Sequence, residues 1–494
     1  MLARPFRYPG SIFTCLLSAY VIARISILKE SRIRLWWDAF SYAYRDSPEW
    51  DRGPLVSFIG HAPRLWGVPL FYALFPSDPP RLVAQWAVST AAWALLAWTL
   101  WKCLRSLPAK VIASGAVLGF ALLTPITQWD FTILSESLSI SLGVIVVACF
   151  MLWARSGSRV ALVALAATGF YWTFVRPELR LFVVVLCGVL LFDAWRRRDQ
   201  RRWALGGAVV LAIAIGWSSL IMPTVYHNFG RYTHSHLSAQ GDVLMFKLPY
   251  VYSHPELTRV YEQELGMPPC PAATALVRNR AGDFFELLAE YNACPELSAW
   301  GDKHGSEPIG FLVAAPDLAA RAIWRAAPHA FGGVDGYGYY GISANFFPKR
   351  IDRLSFHPTM KVLGGLLGGL LVALIVAVVS GAFRRRRLLV GTALVLIATA
   401  LVSEVIGILL LDAEPARYGI QENIALRIAL LVLVVATIDT VAERLRERSA
   451  QRAQVEAPSE VAPVSPVPLD PSDHAEVPVG AIASATSRGG GGAA

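Results

Sequence analysis

The chain is 494 residues long, 55% hydrophobic and only 16% charged, with a net charge of +9. A soluble globular domain carries about a quarter charged residues, so this composition points away from an ordinary soluble protein. The positive excess does not indicate a nucleic-acid binder, because much of it sits in short runs between apolar segments, such as Arg196–Arg198 with Arg201 and Arg202, and Arg384–Arg387; such runs read as cytoplasmic anchors of membrane helices.

The apolar residues are bunched into stretches long enough to cross a hydrocarbon layer of about 30 Å, which takes about 20 helical residues. Backbone amides in that layer must be bonded within their own segment, leaving helices or closed barrels, and the Leu-, Ala- and Val-rich runs lack the period-2 alternation of a barrel. The reading is an all-α polytopic membrane protein of about ten transmembrane helices. The first span, residues 11–28, contains Arg24 and resembles a signal peptide, but Lys29, Glu30 and Arg32 follow it in place of a small-x-small cleavage site, so it is read as uncleaved. A long acidic and aromatic segment, 29–80, comes next and is expected to hold short interfacial helices. Spans two to seven are read at 81–103, 111–127, 133–153, 160–174, 179–195 and 203–222, completing an N-terminal bundle over 1–222. Residues 223–358 form an expected extracytoplasmic loop domain. Spans eight to ten follow at 360–383, 388–411 and 420–442, within a C-terminal membrane region over 359–448.

The tail, 449–494, is Pro-, Ala- and Ser-rich and is expected to be disordered on the cytoplasmic side. With both termini inside, Lys102, Arg105, Lys110, Arg155, Arg159, both arginine runs and Arg444, Arg446 and Arg448 all fall on the cytoplasmic face. The localisation expected is therefore multi-pass in the inner or plasma membrane. Four of the six cysteines, Cys15, Cys103, Cys149 and Cys187, lie in or at the end of spans and read as packing residues. Cys270 and Cys294 share the large outer loop, where a disulfide is expected; the alternative is two unrelated buried thiols. A straight helix would hold them about 36 Å apart, so the bridge requires the chain to fold back, near Gly282. Glu404 and Arg427, counted to similar depths in spans nine and ten, are expected to face each other as an ion pair.

No Walker motif, G-x-S-x-G or CxxC is present. The chemical signal lies instead in ionisable residues at the outer ends of spans, where charge is costly unless paired or solvated. The first outer loop reads Trp36-Trp37-Asp38-Ala39-Phe40-Ser41-Tyr42. Paired tryptophans suit the interface and hold Asp38 at headgroup height, with Tyr42 one helical turn away. Span four is entered through Asp130 and Leu134-Ser135-Glu136-Ser137-Leu138. The turn after span five carries Arg176-Pro177-Glu178, and the turn before span ten carries Ala416-Arg417-Tyr418. Four connections thus offer acids and arginines to one cavity, where arginine forks suit a phosphate and a carboxylate can take a proton from a hydroxyl. Each residue also has a plainer reading: Asp38 as a loop cap or a partner of Arg34 or Arg45, Asp130 as a helix cap, Glu136 as a dipole-favoured helix start, and the arginines as snorkelling to headgroups.

Over residues 10–442, the topology and these four motifs resemble the GT-C superfamily of membrane glycosyltransferases, the group that includes protein O-mannosyltransferases and lipid A aminoarabinose transferases. The resemblance lies in Asp38 followed by aromatics, in Ser135-Glu136-Ser137-Leu138 at a span start, in Arg176-Pro177 and in Arg417-Tyr418. It implies an inverting transferase that takes a sugar from a polyprenyl-phosphate donor to an acceptor hydroxyl of the envelope, with the active site on the extracytoplasmic face. Asp38 is then the catalytic base, with Asp130 and Glu136 as further catalytic candidates and Tyr42, Arg176, Glu178, Arg417 and Tyr418 as substrate-binding residues. No cofactor is implied with certainty; a divalent metal stays open, since the first loop lacks the adjacent acidic pair of some branches. The rival readings are a transporter or flippase, which also needs charges around a cavity, and an O-antigen-type polymerase. Transporters tend to show internal repeats and helices broken near the midplane, whereas the ionisable residues here crowd one face.

Overall fold

The structure is a computed structural model and describes residues 9–35, 37–43, 54–232, 239–279, 284–304, 308–332, 345–410, 417 and 419–456. Tyr418, Gly282 and the tail beyond residue 456 lie outside the described residues. The chain divides into two units, Met1–Leu445 and Arg446–Ala494. Among the described residues every regular element is helical, and an isolated parallel bridge joins Arg34 to Thr132.

The first unit begins with α1 (Pro9–Glu30), α2 (Trp37–Ala43), α3 (Gly67–Ala73), α4 (Asp78–Cys103), α5 (Leu107–Phe120), α6 (Thr124–Thr127), α7 (Glu136–Ser156), α8 (Arg159–Val175), α9 (Arg180–Arg196) and α10 (Arg201–Tyr232). Between α10 and the last membrane helices come α11 (Ala239–Ser253), α12 (Pro255–Arg259), α13 (Pro271–Arg278), α14 (Phe284–Ala293), α15 (Pro295–His304), α16 (Pro308–Ala314), α17 (Pro316–Gly332) and α18 (Lys349–Ser355). The chain closes with α19 (Met360–Val379), α20 (Ala382–Arg385), α21 (Arg387–Leu410) and α22 (Ile420–Glu456).

Seven of these helices, α1, α4, α7, α10, α19, α21 and α22, are long and apolar enough to cross a bilayer. A bent pair, Leu107–Phe120 with Thr124–Phe131 at 58°, makes an eighth crossing if taken as one span. The chain is thus a multi-pass helical membrane protein. Helices α8 and α9 stand where the fifth and sixth spans were expected, but each has 17 residues, about 26 Å of helix against a layer of about 30 Å. The expected boundary at residue 222 falls inside α10, which runs on through Pro223.

Local sequence starts these helices where it should. Ser106, Ser158 and Thr359 cap α5, α8 and α19 by accepting from the amides of Ala109, Ala161 and Val362. Helix α4 packs on α7, α7 on α8, and α10 on both α8 and α9. The bundle core is closed by Trp93, Leu96, Trp153 and Leu165. Midway along α22, Asp439 accepts from the amides of Arg105 and Ser106 and pairs with Arg386 at 2.6 Å.

The segment after α10 has its own core, built around Leu244, Tyr252, Tyr291 and Leu297. Cys270 and Cys294 are joined there by a disulfide with Cα atoms 6.1 Å apart. This segment is not separate from the bundle: Leu409 of α21 belongs to its core, and α17 packs against α19 and α21. That packing corrects the expected Glu404–Arg427 pair. Arg427 donates instead to the carbonyls of Ser355, at 2.9 Å from Nε, and Phe331, at 3.2 Å from Nη1, with its guanidinium 4.3 Å from the Phe356 ring. Spans nine and ten are not bare neighbours at this depth. In the fold, the C-termini of α17 and α18 come to α22, and their orphan carbonyls, at the negative ends of helix dipoles, take the guanidinium.

Candidate functional site

Four connections at one end of the bundle meet in a single network of ion pairs. The first is the stretch leading into α2. The Arg34 amide donates to the Phe131 carbonyl at 3.0 Å, and the Ile133 amide donates back to the Arg34 carbonyl at 3.4 Å. This pins the approach to α2 against the approach to α7, so Asp38 and Glu136, 98 positions apart in the numbering, are brought to a common partner.

That partner is Arg417. Its Nη1 lies 2.7 Å from Asp38 Oδ2, and its Nε donates to Glu136 Oε1. Arg176 approaches the same Glu136 oxygen at 3.5 Å and Glu178 Oε2 at 3.7 Å. Its place follows from local sequence: the residue before a proline is pushed out of the helical region, so α8 ends at Val175 and Arg176, at φ −143°, turns its side chain off the helix axis. Glu136 is the first residue of α7 and fully buried, where the helix dipole favours a carboxylate.

Arg64 completes the network and was not among the residues picked from the sequence. Its Nη2 donates to Asp38 Oδ1 at 2.9 Å, its Nε to Ser41 Oγ at 2.8 Å, and its guanidinium lies 4.9 Å from the centre of the Tyr42 ring. The available signal was an arginine in the same loop as the acids, directly after Pro63. Its position depends on Gly67. A Cβ there would stand 2.6 Å from the Phe174 carbonyl oxygen, so only glycine lets α3 seat against the end of α8, where the Tyr171 hydroxyl donates to the Gly67 carbonyl at 2.5 Å.

Three guanidiniums therefore face three carboxylates. Glu136, Arg176 and Arg417 are buried, while the Asp38 and Arg64 side chains keep 28% and 27% of their area exposed and Glu178 keeps 39%. The open rim is thus Asp38, Arg64 and Glu178, and Glu136 forms the floor. Burial alone would raise the Asp38 pKa, but the charges of Arg417 and Arg64 outweigh it and hold the carboxyl below its ordinary value. The Tyr42 phenol is pushed up by burial, partly offset by Arg64.

Asp130 is not part of this network. It is buried against Arg24 of α1, with Arg24 Nη2 at 2.5 Å and the Ser137 hydroxyl donating at 2.6 Å. Arg24 also donates to Thr90 of α4 at 3.1 Å. This pair ties α1, α4 and the start of α7 together and is sealed from the rim. Among the described residues, no group of three or more His, Cys, Asp or Glu side chains is placed to hold a metal ion.

Below the network lies an apolar cavity of about 90 Å³, with Ile140, Gly143, Val147, Phe182, Leu396 and Ile428 in its lining. Glu136, Ile140, Gly143 and Val147 recur at helical spacing along one face of α7, so one stripe carries both the charged floor and the cavity wall. Ser139 sits between them, accepting from Trp172 Nε1 at 2.9 Å and from the Gln421 amide.

No protein-family model, curated protein or solved structure matches the chain. What the site does has to be argued from its chemistry.

Proposed function

We propose that this protein is a membrane glycosyltransferase of the GT-C type, moving a sugar from a polyprenyl-phosphate donor to an acceptor hydroxyl on the extracytoplasmic face. The observation that carries this reading is the meeting of Asp38, Glu136, Arg64, Arg176 and Arg417 at the end of the bundle, directly above an apolar cavity. An anionic headgroup on an apolar chain matches both halves of that arrangement. A solute transporter would have no use for the apolar half.

In this reading the donor phosphate takes over the guanidiniums of Arg417 and Arg176, and the apolar chain lies in the cavity below. Once Arg417 turns to phosphate, Asp38 loses one of its two cationic partners and becomes the base. The acceptor oxygen attacks the anomeric carbon as Asp38 takes its proton. The bond from that carbon to the phosphate oxygen breaks on the opposite side, and the charge left on the lipid phosphate rests on the arginines. One displacement inverts the anomeric centre. Glu178 lines the rim where sugar and acceptor enter, with Tyr42 buried against Arg64 behind it, and α8 and α9 complete a proposed ten-span, N-in and C-in topology.

The test is transfer from a radiolabelled polyprenyl-phosphate sugar by purified protein in lipid. Asp38→Asn keeps shape and hydrogen bonding but removes the proton acceptor. General-base groups contribute about 10²- to 10⁴-fold, so transfer should fall by that order while donor binding persists. Arg417→Ala should lose donor binding as well. Near-normal transfer by folded Asp38→Asn protein would remove Asp38 from the role and pass it to Glu136.

A further inference from the structure

Two glutamates of the last membrane helices have no part in the network above. Glu404 of α21 is 3% exposed and Glu422 of α22 is 4% exposed, and each lies within reach of the other's charge. Ser403, the residue before Glu404, donates to Glu422 Oε1 at 2.6 Å. The other Glu422 oxygen is buried with no hydrogen-bond partner among the described residues. Asn423, fully buried beside it, has both its amide oxygen and its amide nitrogen unsatisfied among the described residues.

Beside Gly419 the Ala330 carbonyl adds a further acceptor. A Cβ at that position would meet Glu404 Oε1 at 2.5 Å, Glu404 Oε2 at 2.6 Å and the Ala330 carbonyl oxygen at 2.8 Å. Three oxygens therefore crowd over one α-carbon, and only the missing side chain makes room. Gly419, Glu422 and Asn423 share a helix face by their spacing of three and four. Among the described residues, two arginines near this crowding are engaged elsewhere. Arg427, one turn beyond Asn423, is committed to the carbonyls of Ser355, Phe331 and Asn423. The field of Arg176 reaches Glu422, but so does the opposing field of Glu178, with which Arg176 is paired.

Two carboxylates buried in one low-dielectric region cannot both stay ionised alone, and either a proton or a cation must neutralise them. The available ligands are carboxylate, hydroxyl, amide and backbone carbonyl oxygens, a set that suits a hard cation and not zinc or copper. We propose that Glu404, Glu422, Ser403, Asn423 and the Ala330 carbonyl form a binding site for a divalent cation of the calcium class. Two carboxylates neutralise its charge, and calcium accepts irregular sets of oxygens. The ion clamps the C-terminal end of α17 to α21 and α22, two residues from Arg417, and so acts as a positioning element for that arginine.

The experiment is thermal unfolding of the full-length purified protein in detergent, followed by tryptophan fluorescence, with calcium chloride titrated against a chelator. Calcium should raise the Tm saturably, by roughly 2–5 °C at saturation, and Glu404→Gln and Glu422→Gln should abolish the rise. Gly419→Ala keeps both charges but sets a methyl group among the three oxygens, so it should weaken calcium binding by roughly 10- to 100-fold. Where a glutamine variant fails to fold, the wild-type titration and Gly419→Ala decide. Absence of a calcium-dependent shift in the wild type overturns the site, and an infrared band of a protonated carboxyl lost in Glu404→Gln would show a shared proton in its place. A shift that persists unchanged in every variant overturns it too, since the ion then binds elsewhere. The readout is stability, so either result leaves the glycosyl-transfer proposal to its own assay.

Discussion

Asp38 and Asp130 are both aspartates just ahead of or within a helix start, yet they have opposite surroundings. Asp38 sits at the rim between Arg64 and Arg417 and keeps contact with solvent, whereas Asp130 is sealed against Arg24. Removing one partner of a buried pair leaves an uncompensated charge and costs about 3–5 kcal/mol. Asp130→Asn should therefore lower thermal stability markedly while the folded fraction keeps its specific activity, the reverse of the pattern expected for Asp38→Asn. Parallel measurement of Tm and transfer in the two variants checks this. The pH dependence follows from the arginines around Asp38. Its carboxyl is held below the ordinary value of about 3.9, so its ion pairs contribute fully above that value and are lost as pH falls through the lowered one. The free enzyme should thus show no acid limb in kcat/KM near neutrality. Donor phosphate draws Arg417 away, so the acid limb of kcat should lie at higher pH than that of kcat/KM. Arg64→Ala removes the second cation and should move both limbs upward, which a pH–rate profile reads directly.

At the scale of elements, short connections rather than spans place the site. The mutual hydrogen bonds of Arg34 with Phe131 and Ile133 bring α2 beside the start of α7, and Gly67 brings α3 against the end of α8. Gly67→Val would force α3 away from the Phe174 carbonyl and carry Arg64 with it. Its effect should appear as lost transfer in protein that still inserts. The disulfide of the segment after α10 is a second tie, linking the approach to α13 with the end of α14 across a separation of 24 residues. In the chain-entropy account a loop of that size contributes about 3 kcal/mol, so the double variant Cys270→Ser, Cys294→Ser should be destabilised by about that amount. Alkylation of denatured protein with and without reductant, followed by peptide masses, verifies the bond itself.

At the scale of the molecule, seven helices among the described residues are long and apolar enough to span a membrane, and the bent pair makes eight. The ten-span proposal adds α8 and α9, whose 17 residues suffice if basic ends such as Arg159 and Arg196 snorkel to the headgroups. An impermeant thiol reagent applied to intact cells should therefore fail to label a cysteine placed at Asp199, between α9 and α10, or within Arg384–Arg387. Labelling at either position would reverse the orientation and move the Asp38 network to the cytoplasmic face.

The sequence by itself determined that the chain is helical and membrane-embedded, because both follow from composition and the length of apolar runs, which are local quantities. It also marked Asp38, Glu136, Arg176 and Arg417, since charge at the end of an apolar span is visible without knowing its neighbours. Their meeting was legible only as a convergence of four connections, and Arg64 was legible only as an arginine in the loop of the acids, because its role depends on that loop folding back over α2. Which carboxylate faces the rim, Asp38 or Asp130, was decided by tertiary structure: α1 supplies Arg24 to one and leaves the other to Arg64 and Arg417. The same holds for Arg427. Depth along a helix can be counted from sequence, but the direction in which a side chain finds its partner depends on the helices packed around it, and here α17 and α18 came between. Pairing energies reach over a few ångströms in space, and no spacing along a chain encodes which distant segment will fill them.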